Sequence, residues 1–125
     1  MRGIDGEQVL MRIFLEESTV ADHRPLYRTV IELLRAEGMA GATVLKGIAG
    51  FGHGRRVHTA SIEALSDRLP LIIEVVDTPA HVERILPRIE ALMAGGTIML
   101  ERARVIRYAK TPSTGSPGPL PVNGP

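Results

Sequence analysis

Val44–Ala60 reads VLKGIAGFGHGRRVHTA. It enters as a β-type run, passes Gly47, Gly50, Gly52 and Gly54, and leaves through Arg55, Arg56 and His58. Glycines at this density tolerate positive φ and allow a ligand to approach the backbone, so the middle of the stretch is a loop. Successive backbone N–H groups in such a loop can form an anion nest, to which Lys46, Arg55 and Arg56 add positive charge. Two readings follow: a phosphate-binding, switching loop, or a mobile hairpin tip with solvated arginines. A dinucleotide fingerprint does not fit, because that motif needs a helix N-terminus directly after its glycines and RRVHTA is no clear helix start.

Working outward, Gly41–Ile48 is the strand that feeds the loop. Before it, Pro25–Glu37 reads as a helix: Leu26, Val30, Leu33 and Leu34 fall at helical spacing, Pro25 suits the first turn and Gly38 the C′ position. Gln8–Glu16 alternates, with Val9, Met11, Ile13 and Leu15 on one face and Leu10, Arg12, Phe14 and Glu16 on the other, which specifies a strand. A polar connection, Glu17–Arg24, joins strand to helix. Met1–Glu7 carries no periodicity and reads as a frayed end.

On the far side of the loop, Thr59–Leu69 fits either a helical face or an extended hairpin. Leu71–Asp77 (LIIEVVD) is nearly all apolar and is expected at the centre of a sheet. Thr78 is an N-cap and Pro79 a first-turn proline. Val82, Ile85, Leu86, Ile89, Leu92 and Met93 trace a second helix ending at Gly95–Gly96, and Pro87 inside it predicts a kink or a restart near Leu86. Thr97–Tyr108 is the last strand, with Arg102, Arg104 and Arg107 in its later half. Residues 111–125 (TPSTGSPGPLPVNGP) are too rich in Pro, Gly and Ser to bury a core, so a domain at 1–110 and a disordered tail are expected.

The resulting order, βαββαβ, predicts an α+β fold: a four-stranded antiparallel sheet with two helices on one face, the ferredoxin-like architecture. Leu10 and Phe14 then lie on the uncovered face and call for self-association.

Bulk properties narrow the function classes. The 125 residues suit one domain, zero Cys removes disulfides, thiol nucleophiles and Cys-based zinc sites, and the formal charge is only +1. With four aromatics and no basic stripe between them, nucleic acid is not the expected partner. No apolar run approaches a membrane span and no signal-peptide order is present, so a soluble cytoplasmic protein is expected.

With that topology in place, VLKGIAGFGHGRRVHTA, LPLIIEVVD and ARVIRYAK together resemble the PII-like superfamily. Its nitrogen-regulatory members carry a similar K-G-F-G…H-T loop, an L-P-x-x-x-I-E-x-V strand and an A-R-V-I-R end. Gln8–Lys110 is most similar to a small PII-like family, the domain of unknown function 190 family, typified by P-L-Y, G-A-T-V-L-x-G and G-F-G, which stand here at Pro25–Tyr27, Gly41–Gly47 and Gly50–Gly52. The resemblance implies a homotrimer whose sheets form the inner wall, with an adenine nucleotide bound in three clefts between neighbours. Gly50, Phe51 and Gly52 match the base of the switching loop, and Arg107 matches the first arginine of the C-terminal pair. Gly95 and Gly96 stand at the glycine turn before the last strand. Lys46 and Arg55 complete the candidate ligand contacts.

Departures from the pattern are equally specific. Ala109 takes the place of the second arginine, with Lys110 one position later, and Gly96 that of the phosphate-binding lysine. The loop is shorter than in nitrogen-regulatory members and lacks their modifiable tyrosine. A ligand with fewer phosphates, or none, is as compatible as a triphosphate. The expected function is a non-catalytic sensor: a small effector in the cleft switches Gly47–His58, which engages a partner, by resemblance a membrane transporter or channel.

Two rivals share this fold. A slow nucleotide hydrolase could use the same cleft, although Ser61, Ser66, Asp67, Asp77 and His58 form no recognised catalytic motif. A metal-responsive trimer resembling CutA is the other. His23, His53, His58 and His81 include no pair at i, i+4, so no metal or resident cofactor is expected.

Overall fold

The computed structural model describes residues 4–50, the backbone of 58 and 59, and residues 69–108. In chain order the elements are β1 (Gly6–Glu16), β2 (Val20–Ala21), β3 (Arg24–Pro25), α1 (Leu26–Ala36), β4 (Thr43–Lys46), β5 (Ala49–Gly50), β6 (His58–Thr59), β7 (Pro70–Asp77), α2 (Pro79–Leu92) and β8 (Thr97–Val105). β4, β7, β1 and β8, in that spatial order, form one antiparallel sheet. The expected α+β architecture is present, with β1 and β7 in the middle. The expectations for Thr59–Leu69 and for the tail fall largely outside the described residues.

The period of two in β1 determines what is buried. Met11 faces Val75, Ile13 faces Ile73 and Leu15 faces Leu71 across the β1–β7 ladder. All six are buried, and with Leu26, Val30 and Leu34 of α1 and Val82, Ile85 and Ile89 of α2 they make the core. Fully burying one such side chain contributes about 1.5–3 kcal/mol, so this layer between sheet and helices dominates stability. Arg88 of α2 pairs with Glu37 at the end of α1, bracing the two helices across the surface.

Each helix ends as its sequence requires. Gly38 has φ +74° and its N–H donates to the Arg35 carbonyl, while the Met39 N–H returns to Leu34, closing α1. Thr78 Oγ1 accepts a hydrogen bond from the His81 N–H at 3.2 Å, capping α2, and Pro79 occupies its first turn.

Three local expectations change. α2 runs unbroken through Pro87, with no restart at Leu86. The proline is exposed, while Ile85 and Ile89 on either side of it are buried and hold the helix on the sheet. β8 ends at Val105, so Ile106, Arg107 and Tyr108 lie beyond the ladder. The Glu17–Arg24 connection contains a small hairpin, β2 with β3, turned by Asp22 (φ 52°) and His23 (φ 64°). Two positive-φ residues in a two-residue turn match the right-handed twist of the strands they join.

Candidate functional site

The loop-bearing end of the sheet gathers most of the described candidates. Lys46 closes β4 opposite Leu71, which in turn lies opposite Leu15 near the end of β1. The Gly47 N–H donates to the Pro70 carbonyl at 2.8 Å, and Gly50 in β5 pairs with His58 in β6. Lys46 is already engaged: its Nζ lies 2.9 Å from Glu17 Oε1. Thr97, just after Gly95 and Gly96, lies opposite Phe14 at this same end.

Gly96 has a structural reason of its own. Its φ is +114°, and a Cβ there would lie 2.9 Å from the Phe14 carbonyl oxygen and 2.6 Å from Met93 Cε. A side chain would meet backbone that cannot retreat, so position 96 is closed to any residue but glycine in this backbone.

Arg107 lies at the opposite end. Val105 faces Gly6 at the start of β1, whereas Thr97 faces Phe14. Eight residue steps at about 3.3 Å separate these pairs, or about 26 Å along β8. One chain therefore places Lys46, Gly47 and Gly50 beside one edge strand, β4, and Gly95 and Gly96 beside the other, β8, at the same end of the sheet, and leaves Arg107 at the far end. Phe51, Gly52 and Arg55 lie outside the described residues. Arg102, Arg104 and Arg107 are exposed and make no ion pair among the described residues.

The face of the sheet away from the helices is half apolar and half ionic. Register places Leu10, Phe14, Ile72, Val76, Leu45 and Met99 on it. Among them Arg12 Nε donates to Glu74 Oε2 at 2.9 Å, and its Nη1 bonds Glu101. These hydrogen bonds, Glu74 first, raise the Arg12 pKa further into the strongly alkaline range. The network joins β7, β1 and β8 on a face no helix covers.

Two arrangements were missed by reading the sequence, for one reason. Glu17 and Lys46 are 29 positions apart, and Arg12 meets Glu101 across 89. Each pairing exists only once strand register is set. The period-two pattern of β1 gives Arg12 a face, but no local signal names its partners.

At the Arg107 end, Asp77 is wholly buried. Its Oδ2 accepts from the Ala40 N–H and its Oδ1 from the Thr78 N–H, each at 2.7 Å. His81 Nδ1 lies 2.8 Å from Thr78 Oγ1 and 3.7 Å from Asp77 Oδ1. This is a strand exit tied to a helix cap. Among the described residues no three His, Asp or Glu side chains come together in a metal-holding group. No described helix is long and apolar enough to cross a membrane.

Comparison with solved structures shows the same fold. CPII, a nitrogen regulatory PII-like protein from Thiomonas intermedia K12 bound to ADP, AMP and bicarbonate, matches with a TM-score of 0.56 at 18% identity, over 81% of this chain and 90% of its own. The divalent ion tolerance protein CutA1 from Ehrlichia chaffeensis matches with a TM-score of 0.53 at 11% identity, over 86% and 88%. At these identities the likeness concerns the fold. Sequence relationship is closer to a Methanocaldococcus jannaschii protein named UPF0166 protein MJ1524, 35% identical over 99 residues, covering 78% of this chain and 91% of the relative. The family model described as "Uncharacterized ACR, COG1993" matches residues 8–105, the whole of the sheet-and-helix unit apart from the first two residues of β1, and the chain therefore belongs to the DUF190 family.

Proposed function

We propose that this protein is a non-catalytic PII-like regulator that binds a small anionic effector, an adenine nucleotide, between copies of itself. The observation that carries the reading is the separation of the candidate contacts. Lys46, Gly50 and the Gly95–Gly96 turn stand at one end of the sheet, and Arg107 stands about 26 Å away at the other. A nucleotide is too short to touch both ends of one chain. A site using all of them joins the glycine end of one copy to the arginine end of the next. The uncovered sheet face, with Leu10, Phe14, Ile72 and Met99, supplies the surface for a homotrimer.

Nucleotide binding by CPII supports the choice of effector. The glycine-rich stretch Gly47–His58 follows Lys46 directly, so occupancy of the cleft would set its state through differential affinity, and a partner such as a membrane transporter would read it.

Mixing experiments test the shared site. Lys46→Ala and Arg107→Ala chains each lose ADP affinity alone. Unfolded together and refolded as mixed assemblies, they regain a fraction of wild-type sites, because some clefts then receive both intact halves. Failure of the mixture to regain binding, with each variant folded, would refute a site shared between copies.

A further inference from the structure

Glu17 touches both sides of the glycine-rich segment. Its carboxylate lies 2.9 Å from the Lys46 amine, immediately before Gly47, and its backbone N–H donates to the Leu69 carbonyl at 3.1 Å, immediately before β7. The Lys46 side chain is 51% exposed and that of Glu17 26%. Glu17 Oε1, 2.9 Å from the Lys46 ammonium, is shielded from solvent, although both side chains are partly exposed. Half-exposed pairs of this kind are weak, about 0–1 kcal/mol. Weakness here has a use. A carboxylate on a candidate phosphate-binding lysine must be displaceable if the lysine is to serve a ligand, and a phosphate bearing up to two negative charges outcompetes a carboxylate bearing one.

We propose that the Glu17 carboxylate is an internal counter-anion that occupies Lys46 until a phosphate-bearing ligand displaces it. This rests on the reading of Lys46 as a ligand contact. Glu17 thereby sets which anions bind: those whose charge on Lys46 exceeds that of a single carboxylate succeed, and simple monoanions do not. The arrangement also keeps Lys46 from being an uncompensated cation when the cleft is empty.

Calorimetry with ADP on the full chain tests the competition in four proteins: wild type, Glu17→Gln, Lys46→Ala and the double variant. Glu17→Gln should bind ADP about two- to fivefold more tightly, the worth of an exposed pair expressed as affinity. That gain should vanish in the Lys46→Ala background. Equal or weaker binding by Glu17→Gln, with ADP still bound by wild type, overturns the counter-anion and leaves the nucleotide site standing.

A second measurement needs no nucleotide. Lys46 and Lys110 are the two lysines of the chain, so acetylation by acetic anhydride, read by mass spectrometry, compares one with the other in the same molecule. Lys46 should be acetylated faster relative to Lys110 in Glu17→Gln than in wild type, and inorganic phosphate should slow it more in the variant. An unchanged ratio shows that no pairing governs the amine and overturns the proposal. Absence of ADP binding in all four proteins, with phosphate also without effect on acetylation, overturns both the proposal and the effector reading.

Discussion

Asp77 accepts a 2.7 Å hydrogen bond from the backbone N–H of Ala40, and through it the last residue of β7 is fastened to the chain entering β4. The same carboxylate takes the Thr78 N–H at the start of α2. Three segments thus meet on one side chain with no solvent exposure. Asp77→Asn should lower stability by about 2–4 kcal/mol, since one amide N–H would then face another. Urea denaturation measures it, and a loss below about 0.5 kcal/mol would show that neighbouring groups replace the carboxylate.

Gly96→Ala should be destabilising by about 1–3 kcal/mol, because alanine at positive φ is strained and its Cβ meets the Phe14 carbonyl. Thermal unfolding reads the shift. An unchanged midpoint would mean that the turn rebuilds without cost.

The β2–β3 turn predicts a gain. Asp22 and His23 both hold positive φ, a conformation that costs an L-residue about 1–2 kcal/mol and glycine almost nothing. His23→Gly should raise stability by about 0.5–1 kcal/mol, and no change or a loss in urea denaturation would argue that the His23 side chain makes a compensating contact.

Arg12→Gln should lower the urea midpoint and leave Glu74 and Glu101 repelling one another. The deficit should shrink in 1 M salt, which screens exposed charge. Because the folded-state pKa of this base is raised, the guanidinium contributes fully below its unfolded pKa and fades only as pH climbs through the folded value. Titration from pH 6 to 9 should therefore show no slope assignable to Arg12. A slope that disappears in the variant would contradict this.

Much of the fold is written locally. β1 announces its buried face by alternation, α1 by its Leu and Val spacing with Gly38, and α2 by Thr78–Pro79. What the sequence conceals is set by packing or register. Pro87 forfeits a hydrogen bond to Glu83, yet Ile85 and Ile89 keep α2 continuous, so tertiary burial outweighs a local breaker. The β2–β3 hairpin is hidden because Asp and His, rather than glycine, occupy its positive-φ positions. Of the candidate site, the residues can be named from the chain, but the Glu17 partner of Lys46 and the distance to Arg107 appear only when the strands are aligned.

That distance has a consequence for dose. On the shared site proposed above, a chain whose arginine end cannot reach its own glycine end would have no complete pocket of its own, and the number of pockets would follow the number of contacts between chains. Dilution should weaken apparent ligand affinity, and ligand should in turn drive assembly, by the same mass action. A defective chain entering a closed ring would spoil the pocket on one side if it lacks Arg107 and the pocket on the other if it lacks Lys46. In a cell making both normal and mutant protein, the damage would depend on which end was lost as well as on how much mutant chain was present.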